Sequence, residues 1–568
     1  MPMLSVMVIW IYMFLTTFLI GYGILSLATR YIPYRIRYAD SYLICGLAGV
    51  TVYAQFFSLF TQVGLAANLL LCIMAIIIGW FSRHNLGMAL RQVWSGIREQ
   101  GSGKRGRMFI ILFLFLLFAY GTSRGMIHYD TSLYHAQSIR WIEEYGVVKG
   151  LGNLHCRLAY NSSSFALSAL YSMAFLGGQS YHCAAGWLAF LLAVVCLEVA
   201  GSHKERRLRI SDFARVMCVY YLVNIFDEMV SPASDYFMVL IAFYIVIRWL
   251  DLLDRKVQTM LPYAMLCVLG VFLMTVKLSA ALILLLVIYP ACHLVLQKHW
   301  KEIAVYLIMG IAAALPFLIR NALISGWLVY PFTQIDIFDV EWKVPKGVAD
   351  YDAREIQVFG RGYTDVNRYD IPVKEWLPDW FRSLAGSDKL FVSIAALAIC
   401  VLLMYGVGMA CGLWKKRLDI FLVQITVAGS FIFWLCTSPS MRFGCVYVYL
   451  TLAVVLGGIY DIIVHRSSRQ TMTEWAAVAA VFLLLMYKSV ALGREIVLSY
   501  VNDYWTAQKD YDNYETLSYE IEGVTFYYPK TGDRVGYDSF PSAPMKTDVI
   551  FLDDTVKDGF RVASLGSE

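Results

Sequence analysis

The chain has 568 residues, 59% of them hydrophobic and 16% charged, with a mean hydropathy of +0.59, whereas soluble globular domains average about 45–50% apolar and about 25% charged. That balance excludes an ordinary soluble globular protein and points to an all-α polytopic membrane protein. The formal net charge of +5 is what basic connecting loops would give, and it carries no inference about nucleic acid.

Apolar runs follow one another near residues 4–28, 41–61, 65–81, 108–123, 183–200, 213–229, 233–250, 260–276, 278–296, 303–319, 389–413, 420–437, 443–464 and 475–492. As helices these predict about fourteen transmembrane spans, because a helix satisfies its own backbone where no water can. The first run has neither a basic leader nor a small-residue cleavage site before Arg30, so it reads as a retained span.

Lys/Arg-rich connections fall at 30–40, 82–107, 201–209, 254–256, 297–301, 414–417 and 465–469. The positive-inside rule assigns all seven to the cytoplasm in one alternating topology. Asn161–Leu176 would spoil the alternation if it crossed. Its start "NSSS" and its Gly177-Gly178 stop fit a helix lying at the interface or dipping in and returning.

The chain divides into N-terminal spans and a cytoplasmic loop (1–107), a core (108–319) with an outer loop at 124–182, an extracytoplasmic loop (320–388), C-terminal spans (389–492) and an extracytoplasmic tail (493–568). In the tail, "VTFYYP" and "DVIFLD" flank the turn-rich "PKTGDRVG", which predicts a small, mostly extended element.

After Asp130, "TSLYHAQSIRWIEEY" has helical spacing, with Asp130 or Thr131 able to cap its start and Gly146 able to stop it. It reads as an interfacial helix. Asp130 then stands where a span hands over to that helix, either as an N-cap or as a general base whose proton affinity a dry setting tunes. Asp235 after "SPAS", Lys277 in "MTVKLSA", Arg320-Asn321 and Arg442 after "SPSM" fall at the same depth on the same face. Ionisable groups at membrane depth are costly and usually face a protein cavity. Cations there suit a phosphate, Arg especially because its fork binds two oxygens.

His128, Asp130, His135 and His155 can also be drawn as a loose metal site. The twelve cysteines show no CxxC pair. Cys156, Cys183 and Cys436 share the outer face, where either a disulfide or free thiols would fit.

"HYDTSLYHAQSIRWIEEYG", "GLGNLHCRLAYNSSSF", "SPASD", "RNALISGWLVYP" and "SPSMRFG" together resemble the GT-C superfamily of integral-membrane glycosyltransferases, in particular poorly characterised bacterial members. The likeness covers roughly Phe109 to Tyr460. It implies a GT-C-like bundle in the bacterial inner membrane that moves a sugar from a polyprenyl-phosphate donor to a glycan, lipid or protein acceptor on the extracytoplasmic face, usually with inversion. It implies Asp130 as the loop acid that activates the acceptor and Asp235 as the second acid.

Lys277, Arg320 and Arg442 are candidates for the carrier phosphate by placement. His128, Tyr134, His135 and Asn321 complete the expected substrate contacts. Many relatives pair two acids at the first position. Here Thr131 and Ser132 follow Asp130, which weakens the case for metal dependence and leaves a divalent cation open as cofactor. A lipid-linked glycan ligase, with Arg361 in its outer loop, and a transporter of lipid-linked sugar are the competing readings.

Overall fold

The computed structural model describes residues 2–98, 104–200, 208–412, 417–464, 470–498 and 508–563. The basic connection at 465–469, and most of those at 201–209 and 414–417, lie outside the described residues.

Each of the fourteen apolar runs forms helix. Among the described residues, nine helices are long and apolar enough to cross a membrane, or ten if the bent pair Leu65–Phe81 and Asn85–Arg91 is one span. The chain is therefore a helical multi-pass membrane protein. The count falls below fourteen because several runs make short helices. Ala184–Cys196, Ile210–Asn224 and Leu261–Val276 have 13, 15 and 16 residues, about 20–24 Å at 1.5 Å per residue against a core of roughly 30 Å. The stretch after Asn161 forms a helix of nine residues, Ser163–Tyr171, too short to cross by itself.

Ser234–Asp254 is the hub. Its sequence is apolar all round, which marks a helix enclosed by others, and every residue from Asp235 to Leu253 is buried. The helices Ile210–Asn224, Leu261–Val276 and Met441–Val464 pack against it. By contrast Leu307, Ile308, Ile311, Leu403 and Met404 are exposed, the apolar outer surface that a lipid environment covers.

The enclosed helix carries Arg248 and Asp251 without isolated charge. Arg248 bonds Asp40 at 2.7 Å, Glu198 at 2.9 Å and Asp251 at 2.9 Å, and Arg215 bonds Asp251 at 2.6 Å.

The tail is a small extended unit. β1 (Thr516–Ile521) pairs antiparallel with β2 (Val524–Pro529), and β3 (Val549–Phe551) with β4 (Phe560–Val562). Glu522 and Gly523, both at positive φ, make the two-residue turn whose twist matches the strands it joins. Phe526, Phe551 and Phe560 share a second core with Trp141, Leu154 and Trp327.

The helix after Asp130, expected at the membrane interface, packs against this tail. Ala136–Glu144 has its polar side covered by the tail. Gln137 donates to the carbonyls of Gly536 and Ser539, Arg140 donates to those of Tyr537 and Asp538, and Glu143 accepts from Tyr537. Burial pushes the Glu143 carboxyl up from its ordinary range.

Candidate active site

Four distant segments deliver the charged groups. Asp130 precedes a short π-type turn, Thr131–His135, that leads into Ala136–Glu144; such turns recur at functional sites. Asp235 sits in the first turn of the hub helix. Lys277 occupies the extended joint between Leu261–Val276 and Leu278–Val287. Arg442 opens Met441–Val464, at a helix N-terminus where a cation is unfavourable unless acids face it.

Two acids do face it. Arg442 Nη2 donates to Asp130 Oδ2 at 2.7 Å, and its Nε lies 3.4 Å from Asp235 Oδ2. The Nε approach is an ion pair without hydrogen-bond geometry, so that donor remains unused. Lys277 bonds the other oxygen of Asp235. Lys277 and Arg442 also flank Phe443, 4.0 and 4.7 Å from its ring centre, a cation–π arrangement that holds both side chains. Asp130 forms no capping hydrogen bond, so the N-cap reading of that residue does not hold.

His128 Nε2 lies 2.8 Å from Arg442 Nη1, and Nδ1 lies 3.1 Å from the Asp130 amide. A neutral imidazole has one bare nitrogen. Both ring nitrogens face donors, the Asp130 amide at Nδ1 and the charged Arg442 at Nε2, and the charge-assisted contact is the stronger of the two. Burial first, and then the Arg442 charge, hold the His128 pKa below its ordinary value. The His128 amide is anchored to Ser231 Oγ at 2.7 Å, which joins the "HYD" and "SPASD" segments.

The group is partly open. Side-chain exposures are 14% for Asp130, 25% for Arg442, 22% for Lys277 and 6% for Asp235, so a ligand can reach the first three.

The turn that presents Arg442 is pinned from behind. Trp380 Nε1 donates to the Pro439 carbonyl at 2.7 Å and Trp434 Nε1 to that of Ser440 at 2.9 Å. Gly444 admits Trp434, since a Cβ there would fall 2.2 Å from its ring. The outer loop thus supports the site through helix Val373–Ser383, which carries Trp380.

Other expected contacts lie in or beside a second layer. Tyr134 and His135 are ring neighbours at 4.4 Å, and His135 stands 6.5 Å from His128. His135 is buried with Nδ1 on Thr131 Oγ at 3.1 Å, and burial drives its pKa well below the ordinary value. Arg320 is not brought into the cluster. It donates to Asn161 Oδ1 at 2.8 Å and to Ser58, tying two helices to the segment that precedes Ser163–Tyr171. Asn321 is buried, with its side-chain nitrogen unpartnered among the described residues.

Arg361 of the ligase reading donates to Tyr369 O at 2.7 Å and stacks on Trp376, bonds within its own loop. Among the described residues no three His, Cys, Asp or Glu side chains converge as metal ligands. The guanidinium of Arg442 already fills the gap between Asp130 and Asp235, and the residues present do not fit a metal. His155 accepts from the Arg157 amide. Cys156, Cys183 and Cys436 are free thiols.

Phe443 and Ser231 lie in the quoted motifs but are not among the expected site residues, and the tail is expected as a small extended element without a role at the site. Val535 and Gly536 amides both donate to Ser132 O, Tyr129 bonds Asp533, and Arg534 lies over the Tyr129 ring. The tail therefore reaches the neighbours of Asp130. The turn signal in "GDRVG" marked a loop but not its destination.

A family profile described as a domain of unknown function, DUF8201, matches residues 3–449. The chain belongs to that family. The matched region contains every member of the charged cluster and also the first helices, which the GT-C resemblance had left outside. Strands β1–β4 and the residues covering Ser132 follow it. No curated protein and no solved structure matches the chain.

Proposed function

We propose that the protein is a membrane glycosyltransferase with a GT-C-like bundle of fourteen helices, several of them short. It takes a sugar from a polyprenyl-phosphate donor and gives it to a glycan, lipid or protein acceptor. The reaction side is the extracytoplasmic face of a bacterial inner membrane, where the N-terminus and tail also lie. The observation that carries this reading is the fork of Arg442, which contacts Asp130 and His128 while facing Asp235 beside Lys277.

In the resting site the two acids and two cations neutralise each other. A donor phosphate competes with the two acids for Arg442 and Lys277. Drawing Arg442 to the phosphate leaves the Asp130 carboxylate free for an acceptor hydroxyl. The hydroxyl oxygen then attacks the anomeric carbon, its proton passes to Asp130, and the bond from that carbon to the phosphate oxygen breaks with its electron pair on the phosphate. Fixed cations stabilise the charge that develops on this leaving group. Asp235 acts here as a positioning residue, since Lys277 and Arg442 both face it.

Purified protein in vesicles, supplied with a panel of radiolabelled polyprenyl-phosphate sugars, tests the reading. Transfer of label to an acceptor with release of polyprenyl phosphate is the expected result. Movement of intact labelled donor across the vesicle without cleavage would replace it with transport.

A further inference from the structure

A cavity of about 290 Å³ lies away from the Asp130 cluster. It is a slot between Asp40–Ser58, the far half of the hub helix, Leu261–Val276 and Trp300–Ser325, walled by Ile44, Val52, Leu266, Phe272 and Ala313 among others. Asp235 and Arg248 lie on one helix, thirteen residues and therefore about 20 Å apart along its axis. The polar mouth of the slot, at Arg248, and the charged cluster, at Asp235, lie toward opposite ends of the hub helix.

We propose that this slot is a binding site for an anionic phospholipid of the leaflet at that end, one acyl chain in the slot and the phosphodiester at its mouth. The depth fits. From Ser41 to Val52 the lining runs eleven residues along one helix, about 16 Å, and half of a hydrocarbon core roughly 30 Å thick is about 15 Å. A slot one leaflet deep takes a chain whose head stays at the surface.

The polar lining is gathered at one end. It includes Tyr34, Arg37, Tyr38, Ser41, Tyr244 and Arg248, with the Tyr244 hydroxyl already donating to Asp40 at 2.8 Å. Arg248 is already neutralised by Asp40, Glu198 and Asp251. Arg37 is exposed, with no hydrogen bond or ion pair among the described residues, and Arg30 and Arg35 beside it are exposed too. The Tyr38 hydroxyl is buried and unpartnered among the described residues, a donor that a phosphate oxygen would satisfy. A cationic rim and an orphan donor over an apolar slot complement an anionic head on an apolar tail, and a zwitterionic lipid much less.

The test uses the full-length protein, delipidated in detergent, with phosphatidylglycerol or phosphatidylcholine added and bound lipid counted by native mass spectrometry. Phosphatidylglycerol is expected to bind in preference, and the preference is expected to shrink at high salt. Arg37→Gln is expected to weaken phosphatidylglycerol roughly fivefold, the effect of one basic residue at a membrane surface. Ala312→Phe, at an exposed wall position, is expected to abolish retention of either lipid in the slot. Should Ala312→Phe fail to fold, the surface variant Arg37→Gln still decides. Equal retention of both lipids by wild type, unchanged affinity in Arg37→Gln, or preferential occupancy by a polyprenyl phosphate or a peptide would overturn the proposal.

Discussion

Arg442 and Asp130, 312 residues apart in the chain, meet at 2.7 Å through Nη2 and Oδ2. The same guanidinium contacts His128 and faces Asp235, so one side chain organises the whole group. Replacing it by lysine keeps the charge but removes the fork that reaches three partners. Arg442→Lys is expected to lower transfer about a hundredfold, the effect of losing a preorganised donor to developing charge. Combined with Asp130→Asn it should add little further loss, because residues acting as a unit are non-additive. Rates of label transfer for the two single variants and the double variant check this.

Acid should disarm the site through His128. Burial and Arg442 disfavour a second proton on this ring in the folded state, while the unfolded chain takes one up near pH 6.5. The unfolded state therefore binds more protons as pH falls, so the stability tied to neutral His128 is complete above about pH 6.5 and is lost progressively below it. Protonation would also replace the acceptor facing Arg442 by a donor. A His128→Gln variant is expected to flatten the acid limb of the pH–rate profile; an unchanged limb would remove His128 from this role.

Trp380 acts on the site from behind. Trp380→Phe keeps a ring in the packing but leaves the Pro439 carbonyl without its indole donor, at a cost of about 1–3 kcal/mol for an unsatisfied buried group. Since that carbonyl belongs to the turn presenting Arg442, the transfer rate should fall severalfold while the fold persists. Comparing the rate with the unfolding temperature separates this positioning role from general destabilisation.

Arg248 has the opposite balance of effects. Arg248→Met removes the arginine facing Asp40 and one of the two arginines facing Glu198 and Asp251, which keep Arg215, and breaking a buried ion network from one side costs about 3–5 kcal/mol. A marked drop in unfolding temperature is expected in a detergent-purified sample. A shift of a degree or less would mean that water reaches these acids.

Much of the scaffold was legible because hydrophobic runs must become helices in lipid, and all fourteen runs did. Span number was less legible: a run such as 213–229 does not reveal that its helix stops at Asn224. The site was readable where residues flank helix ends, as Asp130, Asp235, Lys277 and Arg442 do, since chain ends at one depth can converge. Arg320 shares that depth but turns toward Ser58 and Asn161, because depth along a helix says nothing about the direction a side chain faces. The cover over Ala136–Glu144 came from more than 390 residues away. Its polar face serves as a docking surface for carbonyls whose order no local pattern encodes.

The most direct measurement of the account compares wild type with Asp130→Asn for transfer of radiolabelled sugar from polyprenyl phosphate, in membranes containing equal amounts of folded protein. Removing the proposed general base is expected to reduce transfer by about 10²–10⁴-fold while donor binding persists. Transfer at the wild-type rate by Asp130→Asn would contradict it.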